Sequence, residues 1–389
     1  MSVIRGIFID NTTLQKQFIN RLRVALLLLA AGILFSTEAL AGFFDQKLMI
    51  NGAGATFPYP LYSKWFSEYQ KISPGTAFNY QSIGSGGGQR QLLDETVDFG
   101  ASDSPMSDEL LKKSKRPIIH VPATMGAVVI TYHLPPGVKE MKLTGSLIAD
   151  IFLGKIKKWD DSRLIEINPE LKTVLQSIPS TDILVVHRSD GSGTTAIFSN
   201  YLAKVSEDWK TKVGEGTALR WPAGIGGKGN EGVTSFVQQI PGSIGYVELV
   251  FAKTLKLPYA SVEGAHKRAH PIEGEMIDSR EFVEPSMETV TAAAEGALKL
   301  NTIPEDFRAV ITLVDAPNAY PISSFTYLLF YEIPKNDPKS LQKQKEFLSF
   351  TRWALHEGQS FAPKLYYAPL PKPLIDRVMK RLFPGGPRQ

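Results

Sequence analysis

The sequence predicts an α/β protein divided into two domains. Short apolar runs rich in β-branched residues alternate along the chain with segments of helical periodicity, which is typical of α/β units. The chain has 389 residues, of which 348 follow a predicted signal peptide, and that length favours two domains over one. Hydrophobic residues make up 43% of the chain and charged residues 21%, which is enough to form sizeable cores.

The predicted elements follow one another mostly as pairs of a strand and a helix. In chain order, the strands are expected at residues 48–50, 76–81, 127–132, 183–186 and 325–330, and the helices around 59–70, 89–93, 196–205 and 344–356. The glycine-rich stretch 224–232 predicts a loop, because glycine has low propensity for both regular structures.

The N-terminus has the three parts of a secretory signal. Lys16, Arg21 and Arg23 precede a 12-residue apolar run at 24–35, and the small residues of Ala39-Leu40-Ala41 follow. An uncleaved membrane anchor is the alternative, but a spanning helix needs about 20 apolar residues. We therefore expect cleavage after Ala41 and a periplasmic location for the mature chain.

Composition excludes several classes of site. The net charge is +4, of which +2 falls in the first 41 residues, so the remaining chain is nearly neutral. A nucleic-acid partner is not expected, since such proteins normally carry a basic face or stripe. The chain has no cysteine, which excludes disulfides, zinc–thiolate sites, cysteine nucleophiles and a lipid-modified N-terminal cysteine.

Three glycine-rich turns are the most informative feature of the sequence. They occupy residues 52–58, 83–88 and 190–195; each precedes a predicted helix and contains a Ser or Thr hydroxyl. Glycine lets the backbone approach a ligand, and the start of a helix offers unpaired N–H groups and a positive dipole end. Any one turn alone favours ordinary helix capping over a ligand site. The three together, with Arg188, Asp103 and Asp190 nearby, predict a site for a small oxyanion.

Motifs for other kinds of site are absent or incomplete. Residues 224–229 satisfy G-x-G-x-x-G, but no clear strand is predicted before them, so we expect a solvated loop here and not a dinucleotide-binding unit. His266 and His270 have i, i+4 spacing in a segment that contains Lys and Arg, which indicates a surface role and not zinc. The motifs G-x-x-x-x-G-K-[ST] and G-x-S-x-G do not occur. We expect no cofactor, no metal and no enzymatic activity.

The chain resembles the phosphate-binding subunit of the bacterial ABC phosphate importer, a family of periplasmic solute-binding proteins. The matching segments run over nearly the whole mature chain: GAGATFPYP (52–60), IGSGGG (83–88), VDFGASDSPMS (97–107), IADIFLGKIKKWDD (148–161), DGSGTT (190–195), SIGYVE (243–248) and YYAPLP (366–371). The resemblance implies a two-domain, type II periplasmic-binding-protein fold with phosphate held in the interdomain cleft. The expected divisions are a signal peptide at 1–41, a first domain formed by 42–122 and 318–389, and a second formed by 123–317.

The resemblance also implies what the protein binds and which residues bind it. The expected ligand is inorganic phosphate, delivered to the membrane permease and ATPase subunits of an ABC importer, and we expect a monomer. The implied phosphate contacts are Thr56, Phe57 through its backbone N–H, Ser85, Asp103, Arg188, Ser192, Gly193 and Thr194. Asp190 resembles the residue that orients Arg188, whose planar fork suits phosphate oxygens.

Asp103 has to be explained, because a carboxylate beside an anion is repelled by it. Its place at the site makes sense if the ligand carries a proton that the carboxylate accepts, as phosphate does near neutral pH. A helix cap before Met106 is the alternative role for Asp103. The alternative functions are binding of another oxyanion, such as sulfate or molybdate, and a periplasmic phosphatase.

Overall fold

The computed structural model describes residue 21 and residues 47–136, 138, 140–178, 182–272 and 275–385, with the backbone alone for 267–280. The predicted apolar run at 24–35 and the predicted cleavage site after Ala41 lie outside these residues. Among the helices that the structure describes, none is both long enough and apolar enough to cross a membrane.

The strands form one large sheet and one small one. In chain order they are β1 (Leu48–Gly54), β2 (Thr76–Ser82), β3 (Phe99–Ser102), β4 (Ile118–Tyr132), β5 (Lys142–Leu143), β6 (Leu184–Arg188), β7 (Ile225–Gly227), β8 (Ser243–Glu248), β9 (Ser261–Ile272), β10 (Glu275–Val283) and β11 (Ser323–Tyr331). The large sheet has the order β2-β1-β3-β11-β4-β8-β6-β7, and the small sheet has the order β10-β9-β5.

Helices connect most of these strands. In chain order they are α1 (Tyr59–Ile72), α2 (Ser85–Leu93), α3 (Asp108–Leu111), α4 (Gly145–Phe152), α5 (Ser162–Ile167), α6 (Lys172–Gln176), α7 (Gly193–Val205), α8 (Glu207–Lys212), α9 (Gly229–Gln239), α10 (Leu249–Thr254), α11 (Met287–Lys299), α12 (Pro338–Leu355) and α13 (Lys372–Leu382). Short 3₁₀ turns lie at Pro169–Leu171, Glu357–Phe361 and Pro363–Leu365.

Strand β4 joins the two halves of the large sheet. Residues from Ile118 to Ala127 pair antiparallel with β11, and residues from Val128 to Tyr132 pair antiparallel with β8. In one half β1 and β3 are parallel, and in the other half β6 is parallel to both β7 and β8. The carboxyl ends of β1, β3 and β6 therefore carry the glycine-rich and acidic turns that the sequence singled out.

Helix α1 shows why the first half folds as it does. It starts after Pro58, and the spacing of its buried residues, Leu61, Tyr62, Trp65 and Tyr69, forms one apolar stripe. Pro60 stands in its first turn, where a missing N–H leaves no hydrogen bond unmade. The stripe packs on the sheet and fixes the turn at 55–58 at the end of β1.

The predicted strands at 48–50, 76–81, 127–132, 183–186 and 325–330 are confirmed, as are all four helices, with shifted ends. The predicted loop at 224–232 is wrong, because Ile225–Gly227 forms β7 beside β6 and α9 begins at Gly229. A Cβ on Gly224 would lie 2.2 Å from the Val185 carbonyl oxygen, and one on Gly227 would lie 2.6 Å from the Val233 nitrogen. These glycines permit close packing that residue propensity alone does not indicate.

Candidate anion-binding site

The N-termini of α2 and α7 meet, although the two helices follow strands in different halves of the large sheet. Helix α2 begins at Ser85 after Gly84, whose φ of 88° is easily adopted only by glycine. The backbone N–H of Gly86 donates a hydrogen bond of 2.9 Å to the carbonyl oxygen of Gly191, just before α7. Two positive helix ends thus converge, as the turns at 83–88 and 190–195 predict.

Gly193, the first residue of α7, lies directly against the first half of the sheet. A Cβ at this position would be 2.3 Å from Ser85 Oγ and 2.5 Å from Asp103 Oδ2. Ser192 caps the helix, its side chain accepting a 3.0 Å hydrogen bond from the Thr195 N–H. The side chains of Ser85, Asp103, Ser192 and Thr194 are all buried. Only a glycine fits at position 193, because a Cβ there would collide with Ser85 and Asp103.

Arg188 is a buried cation at the end of β6. Its side chain is 1% exposed. The guanidinium donates through Nε and Nη2 to the two carboxylate oxygens of Asp190, at 2.8 and 2.5 Å, and through Nη1 to Thr194 Oγ1 at 3.2 Å. Burial raises the pKa of Asp190, but the hydrogen bond and the charge of Arg188 outweigh it, and the pKa lies below its ordinary value. Asp190 thus holds the Arg188 guanidinium through two hydrogen bonds, in a pair of which Arg188 is buried and Asp190 partly buried.

Asp103 follows β3 and is 1% exposed. Its Oδ1 accepts a 2.9 Å hydrogen bond from Thr326, and its Oδ2 accepts a weaker one, 3.3 Å long, from Ser85. Burial raises its pKa to about 7, although the Thr326 hydrogen bond and the Arg188 charge act in the opposite direction. The alternative role as a helix cap is wrong, since Ser107 caps α3 by accepting from the Leu110 N–H.

Thr56 and Phe57 bring the first glycine-rich turn to the same place. Thr56 is buried, and its Oγ1 accepts hydrogen bonds from the Asn230 backbone N–H at 3.3 Å and from Asn230 Nδ2 at 2.8 Å. The Phe57 carbonyl oxygen accepts a 2.6 Å hydrogen bond from the Tyr367 hydroxyl. Within the described part of the chain, the Phe57 N–H has no hydrogen-bond partner, so it is available to a ligand.

Two residues of the cluster were not predicted. Asn230 lies in the segment interpreted as a loop, yet it follows a fourth glycine turn that opens a helix, at Gly229. That recurrence was the signal that could have identified it. Thr326 lies in β11, where a threonine among aromatic and aliphatic residues was the available signal for a buried polar role.

His187 and His266 make their contacts outside the cluster. His187 is the strand residue next to Arg188, and its ring stacks on that of Trp221 with ring centroids 4.7 Å apart. His266 Nδ1 lies 2.9 Å from Asp315 Oδ1, in the partly exposed surface role expected of it. Over the residues that the structure describes, no group of three or more His, Asp or Glu side chains is arranged to hold a metal ion.

Comparisons with known proteins agree with the fold. A family model described as a PBP superfamily domain matches residues 36–355. The phosphate-binding protein PstS of Xylella fastidiosa is 45% identical over 336 residues, covering 86% of this chain and 84% of that protein. PstS of Haemophilus influenzae is 43% identical over 338 residues, covering 86% and 92%. A solved phosphate-binding protein from Stenotrophomonas maltophilia has a TM-score of 0.61 at 18% identity, covering 85% of this chain and 92% of that one.

Proposed function

This chain belongs to the PstS family of phosphate-binding proteins within the PBP superfamily, and on that premise we propose that it binds inorganic phosphate for an ABC importer. The observation that carries the proposal is the buried meeting of two helix N-termini beside Arg188. Helix starts offer N–H donors and a positive dipole end, and a guanidinium offers a planar fork, so both favour an oxyanion.

The proposed contacts supply donors to all sides of a tetrahedral anion. They comprise the hydroxyls of Thr56, Ser85, Ser192 and Thr194, the backbone N–H groups of Phe57 and Gly193, and the guanidinium of Arg188. The Ser85 hydrogen, which points to Asp103 Oδ2 at 3.3 Å, has to turn to the ligand when it binds. Arg188 has five N–H groups, and three of them are used by Asp190 and Thr194, which leaves two for a ligand. A single cation balanced by many neutral donors holds an anion without a basic patch, in keeping with the nearly neutral chain.

Asp103 supplies the acceptor that such a site otherwise lacks. When ionised, its carboxylate accepts a hydrogen bond from the proton that phosphate keeps near neutral pH. Sulfate has no such proton, so its bare oxygen would face the carboxylate and be repelled. Phosphate is therefore the anion that fits this arrangement, and sulfate and molybdate do not.

We propose that the chain folds as two domains, formed by 42–122 with 318–389 and by 123–317, with phosphate between them. The strand order supports this division, because β1, β2, β3 and β11 lie to one side of β4 and β6, β7 and β8 lie to the other. The boundary at 122–123 falls inside β4, the strand that both halves share. Thr56, Ser85 and Asp103 come from the first half, and Arg188 and Thr194 come from the second.

The remaining proposals concern location and partners. The signal peptide proposed at 1–41 would take the chain to the periplasm, where a permease and an ATPase of an ABC importer would receive phosphate from a monomeric carrier. The relatives named above are called binding proteins. A role in capture without turnover fits the described part of the site, whose polar groups are hydrogen-bond donors and acceptors and include no nucleophile paired with a histidine as general base.

Calorimetric titration of the ligand-stripped chain 42–389 tests the proposal. We expect saturable binding of one phosphate, with sulfate and a phosphate monoester far weaker, and no turnover of a chromogenic monoester. Arg188→Ala removes the buried cation and should weaken phosphate by about 30- to 5,000-fold. Equal binding of sulfate, or turnover of the ester, would replace this proposal with one of the alternatives.

A further inference from the structure

Asn230 lies between two hydroxyls that come from different halves of the sheet. It is the second residue of α9 and is fully buried. Its Nδ2 lies 2.8 Å from Thr56 Oγ1 and 3.4 Å from Thr194 Oγ1, and its backbone N–H also reaches Thr56 Oγ1 at 3.3 Å. Asn230 thus contacts both threonines that the proposed function places on the ligand.

The orientation of the Asn230 amide is set by a neighbouring backbone group. The N–H of Glu248, at the end of β8, donates a 3.1 Å hydrogen bond to Asn230 Oδ1. An N–H group can only donate, so the oxygen of the amide has to face Glu248 and the NH₂ group has to face the threonines. The side chain therefore presents donors, and never an acceptor, to Thr56 and Thr194.

Both threonine hydroxyls are consequently saturated as acceptors. A hydroxyl has one hydrogen to donate and two lone pairs. Thr56 Oγ1 accepts from two Asn230 N–H groups, and Thr194 Oγ1 accepts from Asn230 Nδ2 and from Arg188 Nη1. Neither hydroxyl has a hydrogen-bond acceptor for its own hydrogen among the described side chains and backbone groups. Each hydrogen is left for a ligand oxygen.

We propose that Asn230 is a positioning and specificity residue that makes Thr56 and Thr194 donate, and so fixes two places where the anion must present unprotonated oxygens. The inference rests on the proposed phosphate function and deepens it. Asp103 accepts the one ligand proton, and Asn230 prevents that proton from being placed at either threonine. Asp103 in one half of the sheet and Asn230 in the other therefore together determine which ligand oxygen carries the proton.

Substitution of Asn230 tests this proposal by calorimetric titration with inorganic phosphate at pH 8. In Asn230→Ala each threonine hydroxyl regains a free lone pair and is no longer directed at the ligand, so phosphate should bind about tenfold more weakly. Asn230→Asp keeps the shape and the Glu248 hydrogen bond but turns the donor into an anionic acceptor, and we expect a loss of about 100-fold or more. Asn79→Ala is the matched control, because Asn79 is exposed and its side chain bonds only to Asn51 among the described residues. This variant should bind phosphate as tightly as the parent.

A double-mutant cycle separates positioning from a merely structural role. If Asn230 acts through Thr56, the loss in Asn230→Ala should be largely absent in a Thr56→Val background, whereas independent effects would add. Additive effects, or phosphate binding by both Asn230 variants within about twofold of the parent, would overturn the proposal. If Asn230→Ala does not fold, the phosphate affinity of Asn230→Asp alone tests the proposal, and a value within about twofold of the parent overturns it. Failure of the parent to bind phosphate is a different result, since it removes the proposed function and not only the role of Asn230.

Discussion

At the scale of single residues, we propose that Asp103 decides which anion the site accepts. It is buried, it accepts from Thr326 and Ser85, and it lies against the N-terminus of α7. A packing argument cannot separate phosphate from sulfate, because the two anions have the same shape and nearly the same size. The proposed discrimination comes from the ligand proton, with the carboxylate of Asp103 as its proposed acceptor.

We predict that Asp103→Asn loses this discrimination. The amide keeps the shape of the carboxylate and supplies an N–H donor, so sulfate should bind more tightly while phosphate loses little by comparison. Sites that hydrogen-bond a ligand proton bind analogues lacking it about 10⁴–10⁵ times more weakly. That factor is the upper limit for the increase in sulfate affinity. Both dissociation constants should be measured for both proteins at pH 7 and one salt concentration. Unchanged rejection of sulfate by the variant would remove Asp103 as the discriminating residue.

The pH dependence of stability follows from the same carboxyl. Burial raises the Asp103 pKa from its ordinary value to about 7 in the ligand-free protein, so the folded state holds a proton that the unfolded state releases. This contribution to stability is complete below the ordinary pKa and is lost as pH rises through about 7. The thermal midpoint of the stripped parent should fall relative to that of Asp103→Asn between pH 5 and pH 8. Parallel pH profiles for the two proteins would contradict this expectation.

Residue patterns identified most of the cluster but not all of it. Arg188, Asp190 and the three glycine turns stand beside one another or beside predicted strands, so their convergence could be anticipated. The glycine turn before Asn230 could have marked it as a site residue, but its place in the cluster depends on β7, a strand made largely of glycine. Thr326 is brought to Asp103 by antiparallel pairing of β11 beside β3, a long-range contact that no local pattern encodes.

At the scale of elements, the N-terminus of α7 lies unusually close to residues of the other half of the sheet. Gly193 has no side chain where Ser85 and Asp103 come nearest, so the helix end reaches the first half of the sheet. A serine, threonine or alanine would be the ordinary choice at this helical position, since glycine lowers helix stability. The glycine is therefore explained by contact between the halves and not by local structure.

Gly193→Ala should weaken phosphate binding without unfolding the protein. Overpacking of a tight contact costs about 1–3 kcal/mol, which corresponds to roughly 5- to 150-fold in affinity. Helix propensity favours alanine, so the thermal midpoint of the ligand-free variant should not fall. Gly75→Ala is the matched control, because a Cβ there meets nothing within 4 Å. Parent-like phosphate affinity in Gly193→Ala would show that the halves need not approach this closely.

At the scale of the whole molecule, export and capture are the two proposed properties. The pattern of Arg23, the apolar run and Ala39-Leu40-Ala41 predicts that the periplasmic protein begins at Gly42. Sequencing the N-terminus of protein isolated from the periplasm checks this directly. A product that retains Met1 in the membrane fraction would mean that the segment is an anchor.

We propose that capture of the anion involves movement of one half of the sheet relative to the other. The contacts Gly86–Gly191, Thr56–Asn230 and Gly193–Ser85 all join residues before β4 to residues after it. A ligand that bonds to both groups of residues favours the state in which they touch, by its difference in affinity for the two states. In the proposed two-domain arrangement, β4 and the segment leading to β11 would be the connections whose backbone torsions change on opening.

The most direct test of the account is the radius of gyration of the stripped chain 42–389 by small-angle X-ray scattering, with and without phosphate. We predict that saturating phosphate decreases the radius of gyration, that sulfate at the same concentration leaves it unchanged, and that Gly193→Ala shows a smaller decrease. An identical scattering profile with and without phosphate, in a protein shown by titration to be saturated, would contradict capture of the anion between two closing halves.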